Sequence, residues 1–354
     1  MQLKLSASAN PFAILMLIAP FFLWGTAMVA MKGVIPHTTP LFMAGVRLLP
    51  AGVLILMTAA FIDKPQPKGW LAWLWIAIFA LVDGTLFQGF LAEGLVRTGA
   101  GLGSVMIDTQ PLAIAVLSWW LFQEHIGFWG WLGLGLGIAG ISLIGLPQEF
   151  IFHLLDSGAN ITSNWEEFFG GGEWLMLLAA LSMAVGTVLI RFVCKYADPV
   201  TATGWHMILG GLPLWGISAA VESQQWQNLG ISDWLALGYA TIFGSAIAYG
   251  LFFYFASSGN LTSLSSLTFL TPIFALIFGN LFLSEVLTPM QWAGVTLTFI
   301  SIYLINQRDT IAGKNNMVSI DDTSPEQPIL EVSTANILHP VTLPLRESEP
   351  EILP

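Results

Sequence analysis

Runs of about 20 apolar residues, separated by short links rich in proline, glycine and charge, fill most of this chain. Of its 354 residues, 9% are charged and 55% hydrophobic. A soluble domain carries about 25% charged residues, so this composition cannot cover a water-facing surface. A helix of about 20 residues spans the roughly 30 Å of a hydrocarbon core. A membrane β-barrel would instead show alternating segments of about 10 residues, and these runs do not alternate. The chain therefore reads as an all-α polytopic membrane protein whose first partner is the lipid bilayer.

Ten runs can be marked, at 12–31, 41–61, 70–91, 100–121, 129–146, 173–193, 201–221, 234–255, 263–283 and 289–306. The first follows a short N-terminal end, residues 1–11. It is longer than the core of a secretory signal and lacks a small-x-small cleavage site before Lys32, so it reads as a retained helix. The long interruption at 147–172 divides the runs five and five. Residues 307–354 form an acidic, proline-containing tail without helical period, read as disordered. Eight of the chain's 22 acids cluster there against three bases, which weakens the case for a cationic partner such as a basic protein. Nothing points to nucleic acid.

One apolar phrase is written twice. QPLAIAVLSWWLFQEHIGFWGW (Gln110 to Trp131) is matched by TPIFALIFGNLFLSEVLTPMQW (Thr271 to Trp292), with Pro111 answering to Pro272, Glu124 to Glu285 and Trp131 to Trp292. Gly89 and Gly250, Ser104 and Ser265, and Gly133 and Gly294 keep the same spacing of 161 residues; earlier runs pair at 159, Lys32 with Arg191 and Pro40 with Pro199. A unit with an odd number of crossings enters on one face and leaves on the other, so its copy sits upside down. The expected architecture is ten transmembrane helices as two inverted five-helix repeats (12–146 and 173–306), with a shared site near mid-depth and alternating access as the mechanism. With the N-terminus inside, Lys4, Lys64, Lys68, Arg191, Lys195, Arg308 and Lys314 fall inside and only Lys32 and Arg97 outside, which puts both termini in the cytoplasm.

Polar groups inside the runs mark the pathway, because a mid-bilayer charge costs about 2.5–3.5 kcal/mol on insertion scales unless it is paired or wet. Asp108, with Gln110 and Pro111, lies where proline frees backbone carbonyls. It reads either as a proton- or cation-binding carboxylate or as the partner of Arg47. Asp83 and Gln88 share the third run, and the repeat mate of Asp83 is Gly244, so their chemistry is asymmetric. Glu93 pairs with Arg97 one turn on. Arg47 offers a two-point fork for a substrate carboxylate or phosphate, or a salt bridge between helices. His206 is its counterpart in the second half, and Tyr249 lies mid-run beside Gly250. Glu124 and Glu285 follow apolar runs and read as caps of the next helix start. The aromatic runs Trp119-Trp120 and Phe252 to Phe255 read either as a cavity wall for an apolar or aromatic cargo or as lipid-facing or interfacial bulk. Gly133 to Gly140 reads as helix packing.

The stretch Phe22 to Lys32, Arg47, the twofold Pro…Glu pattern and Asp198 to Met207 together resemble the EamA-type members of the drug/metabolite transporter superfamily, and cyanobacterial and plastid members in particular. The resemblance implies a ten-helix carrier with a central cavity lined mainly by helices three, four, eight and nine. It also implies a small-molecule substrate such as an amino acid or related compound, often moved outward, with proton or counter-substrate coupling open. A cyanobacterial plasma membrane is the expected location. No cofactor or metal is expected: Cys194 is alone, and with 5 His in the chain there is no His-x-x-x-His pair. A membrane-embedded enzyme and a receptor that docks partners through the tail are the competing readings.

Overall fold

The computed structural model describes residues 11–97, 106–145, 172–283 and 288–311. The expectations for Ser104, Glu285, most of 147–172 and the tail beyond 311 lie outside those residues. The described residues are helical: α1 (Pro11–Lys32), α2 (Pro40–Phe61), α3 (Gly69–Arg97), α4 (Gln110–Phe122), α5 (Gly127–Gly145), α6 (Glu173–Val193), α7 (Pro199–Val221) and α8 (Ile231–Ser258) are followed by α9 and α10. The ninth, α9, is composite, with Leu261–Ser266, a 3-10 turn Leu267–Phe269 and Leu270–Leu283; α10 is Pro289–Ile311. Seven of these (α1, α2, α3, α5, α6, α8 and α9) are long and apolar enough to cross a membrane. α4 is short, with 13 residues. α7 and α10 each reach 23 residues but are diluted by threonine, glycine and other polar side chains.

The outer surface is that of a protein in lipid. Phe61 is 83% exposed, Trp70 72% and Leu235 70%, while Asp83, His206 and Thr203 are buried inside. In water such exposed apolar area would drive association; in hydrocarbon it is the ordinary lining. The aromatic run near residue 252 divides accordingly. Phe252 and Phe253 are fully buried, and Tyr254 points outward, because successive helical residues are turned by about 100°. Trp119 and Trp120 are exposed, as expected for lipid-facing bulk.

Helix contacts recur with their roles exchanged. A methyl on Gly133 of α5 would meet Ile305 of α10 at 2.7 Å, and one on Gly294 of α10 would meet Ile144 of α5 at 2.9 Å. Gly45 of α2 lies against Trp215 of α7, and Gly204 of α7 lies against Leu56 of α2. α1 packs on α9 as α6 packs on α4, and α7 packs on a π-helical stretch of α3 as α2 packs on one in α8. The glycines at these crossings let backbones approach to where dispersion contacts replace the missing hydrophobic drive.

Two breaks in regularity also match. Residues Ala80–Phe87 within α3 and Ala240–Ile247 within α8 are π-helical. Such bulges leave backbone groups less regularly paired and are frequent at functional sites. Before Pro111, Asp108 and Thr109 form a turn, and before Pro272 comes the 3-10 turn of α9. Each proline lacks the N–H that a continuous α-helix would use.

Candidate functional site

His206 is fully enclosed in the interior. Phe79 of α3 stacks on its ring, with centroids 4.1 Å apart, and Phe253 of α8 meets it edge-on at 5.4 Å. Its Nδ1 lies 2.6 Å from the Thr203 carbonyl and its Nε2 3.2 Å from Asp83 Oδ2. A carbonyl oxygen can only accept, so Nδ1 carries a hydrogen. Nε2 then either accepts from a protonated Asp83 carboxyl or, as imidazolium, donates to the carboxylate. In both arrangements the pair holds one proton more than a carboxylate beside a neutral imidazole, and the pair is neutral. The other Asp83 oxygen is buried without a partner.

A second group surrounds Arg47 on α2. Its Nη2 donates to Gln88 Oε1 at 3.1 Å and its Nη1 lies 2.9 Å from Met31 Sδ. Gln88, placed just after the π-helical stretch of α3, donates through Nε2 to the Tyr249 hydroxyl at 2.7 Å. Tyr249 follows the π-helical stretch of α8, and Trp24 of α1 packs on its ring edge-on at 5.2 Å. Gln88 and Tyr249 are 161 residues apart, so they occupy equivalent places in the two matching halves.

The structure thus brings together Arg47, Gln88 and Tyr249, and separately Asp83 and His206. Among the described residues Asp108 forms no ion pair, and Arg47 has no carboxylate partner, so the anticipated Arg47–Asp108 bridge is absent. Asp108 sits in the turn ahead of α4 rather than on a helical face. Gln110 and Pro111 are buried at the start of α4, and Pro272 is buried in α9; none of them hydrogen-bonds to either group. Glu93 and Arg97 pair at 2.7 Å as the spacing required. Trp24 and Met31 were not singled out by sequence reasoning. Glu124 does cap a helix, but it is α9 rather than the next one in the chain, with its oxygens 3.2 and 3.3 Å from the backbone nitrogens of Leu261 and Thr262.

Two small pockets lie away from these groups, one beside Ile35 and Met43 and one beside His125 and Arg308. The central groups are closed over: Asp83, Gln88 and His206 are at most 2% exposed, while Arg47 is half-buried. Among the described residues no three His, Cys, Asp or Glu side chains converge to hold a metal ion.

The model of the EamA-like transporter family matches residues 11–146 and again 170–307. This chain belongs to that family. An uncharacterized transporter of Synechocystis sp. is 62% identical over 312 residues, covering 88% of this chain and 94% of that protein. A WAT1-related chloroplastic protein of Arabidopsis thaliana is 54% identical over 294 residues, 82% of this chain and 68% of its own length. One crystal structure superposes with a TM-score of 0.69 over 83% of this chain and 98% of its own, at 15% identity, a likeness of fold. This EamA-like chain is an integral membrane protein and a transporter of a small solute.

Cys194, just past the end of α6, illustrates how enclosed the membrane-boundary residues are. Burial, with the nearby Asp198 carboxylate second, pushes its thiol up to about 12. At neutral pH almost no thiolate is present, and the thiolate is the nucleophile. Maleimide at pH 7.5 is therefore expected to leave the folded native protein unlabelled over minutes, while denaturant exposes one reactive thiol. Rapid labelling of the folded protein would contradict the burial described here.

Proposed function

We propose that this transporter is a secondary carrier of a small organic metabolite, such as an amino acid or related compound, working as an exporter or exchanger by alternating access. It consists of ten transmembrane helices in two inverted five-helix repeats, 12–146 and 173–306, in a bacterial plasma membrane with both termini cytoplasmic. The observation that carries the reading is the hydrogen bond between Gln88 and Tyr249, two residues at equivalent places in the repeats. Reciprocal packing at Gly133–Ile305 and Gly294–Ile144 supports it. Two halves meeting about one axis admit two equivalent packings, one open to each side, and a substrate site at the axis serves both. The neutral Asp83–His206 pair bridges α3 and α7 and carries the proton that couples to substrate movement.

The test uses purified protein in proteoliposomes loaded with labelled amino acids and related metabolites, with and without a proton gradient. Flux of at least one compound is expected, with Asp83→Asn losing its dependence on the gradient. No flux of any compound, with Asp83→Asn indistinguishable from the parent, refutes the carrier reading. Since Cys194 stays silent, Ser8→Cys and Leu353→Cys can be labelled in turn from either side of the membrane. Both must react on the same face; reaction on opposite faces removes the inverted repeat.

A further inference from the structure

The two halves hold one basic side chain each at matching places, and only one of them faces an acid. His206 is the equivalent of Arg47 at a spacing of 159, and Asp83 compensates it at 3.2 Å. The place equivalent to Asp83 in the other half, at a spacing of 161, is Gly244, which lies against Ala27 and carries no side chain. The acid that symmetry would put near Arg47 is therefore missing. Arg47 has only the Gln88 amide oxygen and the Met31 thioether, both uncharged, and its Nε is buried with no partner.

Counting donors sharpens the point. Gln88 accepts from Arg47 and donates to Tyr249. The Tyr249 oxygen is thus an acceptor in that bond, and its own hydrogen is unspent. The indole Nε1 of Trp24, on the residue packed against Tyr249, is buried without a partner as well. A guanidinium N–H, a phenol O–H and an indole N–H are left over in one connected group, with one uncompensated positive charge. A charge without a counter-ion and unmade hydrogen bonds at buried donors are costly, and an anion with two acceptor oxygens removes both costs at once. A cation removes neither, and a neutral amine offers one lone pair and no charge.

We propose that Arg47, Tyr249 and Trp24 form the binding site for a single carboxylate of the transported solute, which supplies the acid missing from the half that carries Gly244. One charge is specified because Arg47 is the one cation of the group. A dianion such as phosphate would leave one negative charge without a counter-ion, because the Asp83–His206 pair is neutral. The titratable groups around the site are Arg47, Tyr249, Asp83 and His206. The assignment rests on the carrier reading for its biological use, though not for the binding itself.

The experiment measures binding to the full-length protein in nanodiscs by thermal stabilisation. The probes are the twenty common amino acids and straight-chain monocarboxylates, each beside its amide at matched ionic strength, with inorganic phosphate as a further probe. At least one carboxylate is expected to stabilise the protein saturably, its amide and phosphate are not, and Arg47→Gln is expected to weaken that binding at least tenfold. Tyr249→Phe, which removes one donor and keeps the ring, is expected to weaken it severalfold and serves should Arg47→Gln fail to fold. Restoring the internal acid with Gly244→Asp, in an Ala27→Gly background that makes room, is expected to displace the ligand. Binding within twofold of the parent in Arg47→Gln, equal binding of amide or phosphate, or no carboxylate binding at all overturns the assignment. A carboxylate that binds through Arg47 but is never transported removes the carrier reading and leaves the site. Transport that ignores Arg47 does the reverse.

Discussion

His206→Leu with Asp83 left in place is expected to destabilise the folded protein by about 3–5 kcal/mol, the cost of leaving one member of a buried pair alone. The residue is fully enclosed and Asp83 is 1% exposed, so water cannot take over the lost contact. The Nδ1–H to Thr203 bond disappears too, freeing a carbonyl 2.6 Å from where the ring stood. Asp83→Leu in addition should recover most of the loss, because an apolar pair of similar volume is often neutral or better in place of a buried ionic one. Asp83→Asn should cost about 1 kcal/mol: its amide N–H can donate to Nε2 as a protonated carboxyl does, which keeps the histidine in its present tautomer. Reversible unfolding in mixed micelles measures all three. A loss under about 1 kcal/mol for His206→Leu alone would mean that water reaches the pair. The contrast with function is the useful part. If the pair carries the coupling proton, Asp83→Asn is stable and yet uncoupled, since an amide cannot release a proton.

Glu124→Ala is expected to cost about 3 kcal/mol, the sum of a lost helix cap and a lost charged hydrogen bond. One carboxylate serves four groups: the backbone nitrogens of Leu261 and Thr262, the Thr262 hydroxyl at 3.0 Å, and Arg191 Nη2 at 3.3 Å. Arg191 in turn reaches the carbonyls of Ala256 and Gly259 at the end of α8. Removing Glu124 therefore loosens the junction between α8 and α9 from both sides, and α9 loses partners for its first N–H groups. Glu124→Gln keeps an acceptor oxygen but not the charge, and about half the loss is expected. Thermal unfolding compares the three proteins. Equal stability of Glu124→Ala and the parent would show that water solvates the start of α9.

Glu222 does similar work unannounced by the sequence. Its oxygens take the backbone nitrogens of Leu41 and Phe42 at 2.9 and 3.0 Å and the Thr39 hydroxyl at 2.7 Å, fastening the start of α2 from the far end of α7. No local pattern marks it, because the acid and the helix it caps are about 180 residues apart. Glu124 was legible as a capping residue from its place after an apolar run, but the helix it caps was not, for the same reason. Asp83 and His206 were each legible as polar residues in apolar runs, yet their pairing was not. The side chain of Asp83 meets α7 only because Gly84 and Gly210 bring the backbones together, a methyl on Gly84 falling 2.7 Å from the Gly210 Cα.

The apolar runs, their lengths and the spacing of the duplicated phrase determined by themselves that this chain is helical, lies in a membrane and is written in two matching halves. Those properties depend on how many residues a bilayer requires and how many the chain supplies, both of which can be counted along a line. Which polar groups satisfy one another was decided by the tertiary structure. The spacing of 161 marked Gln88 and Tyr249 as equivalent places, but that the two side chains touch was decided only by how the helices that carry them pack. Pairing is a matter of distance in space, and a linear pattern fixes such distances only within a helix turn or two.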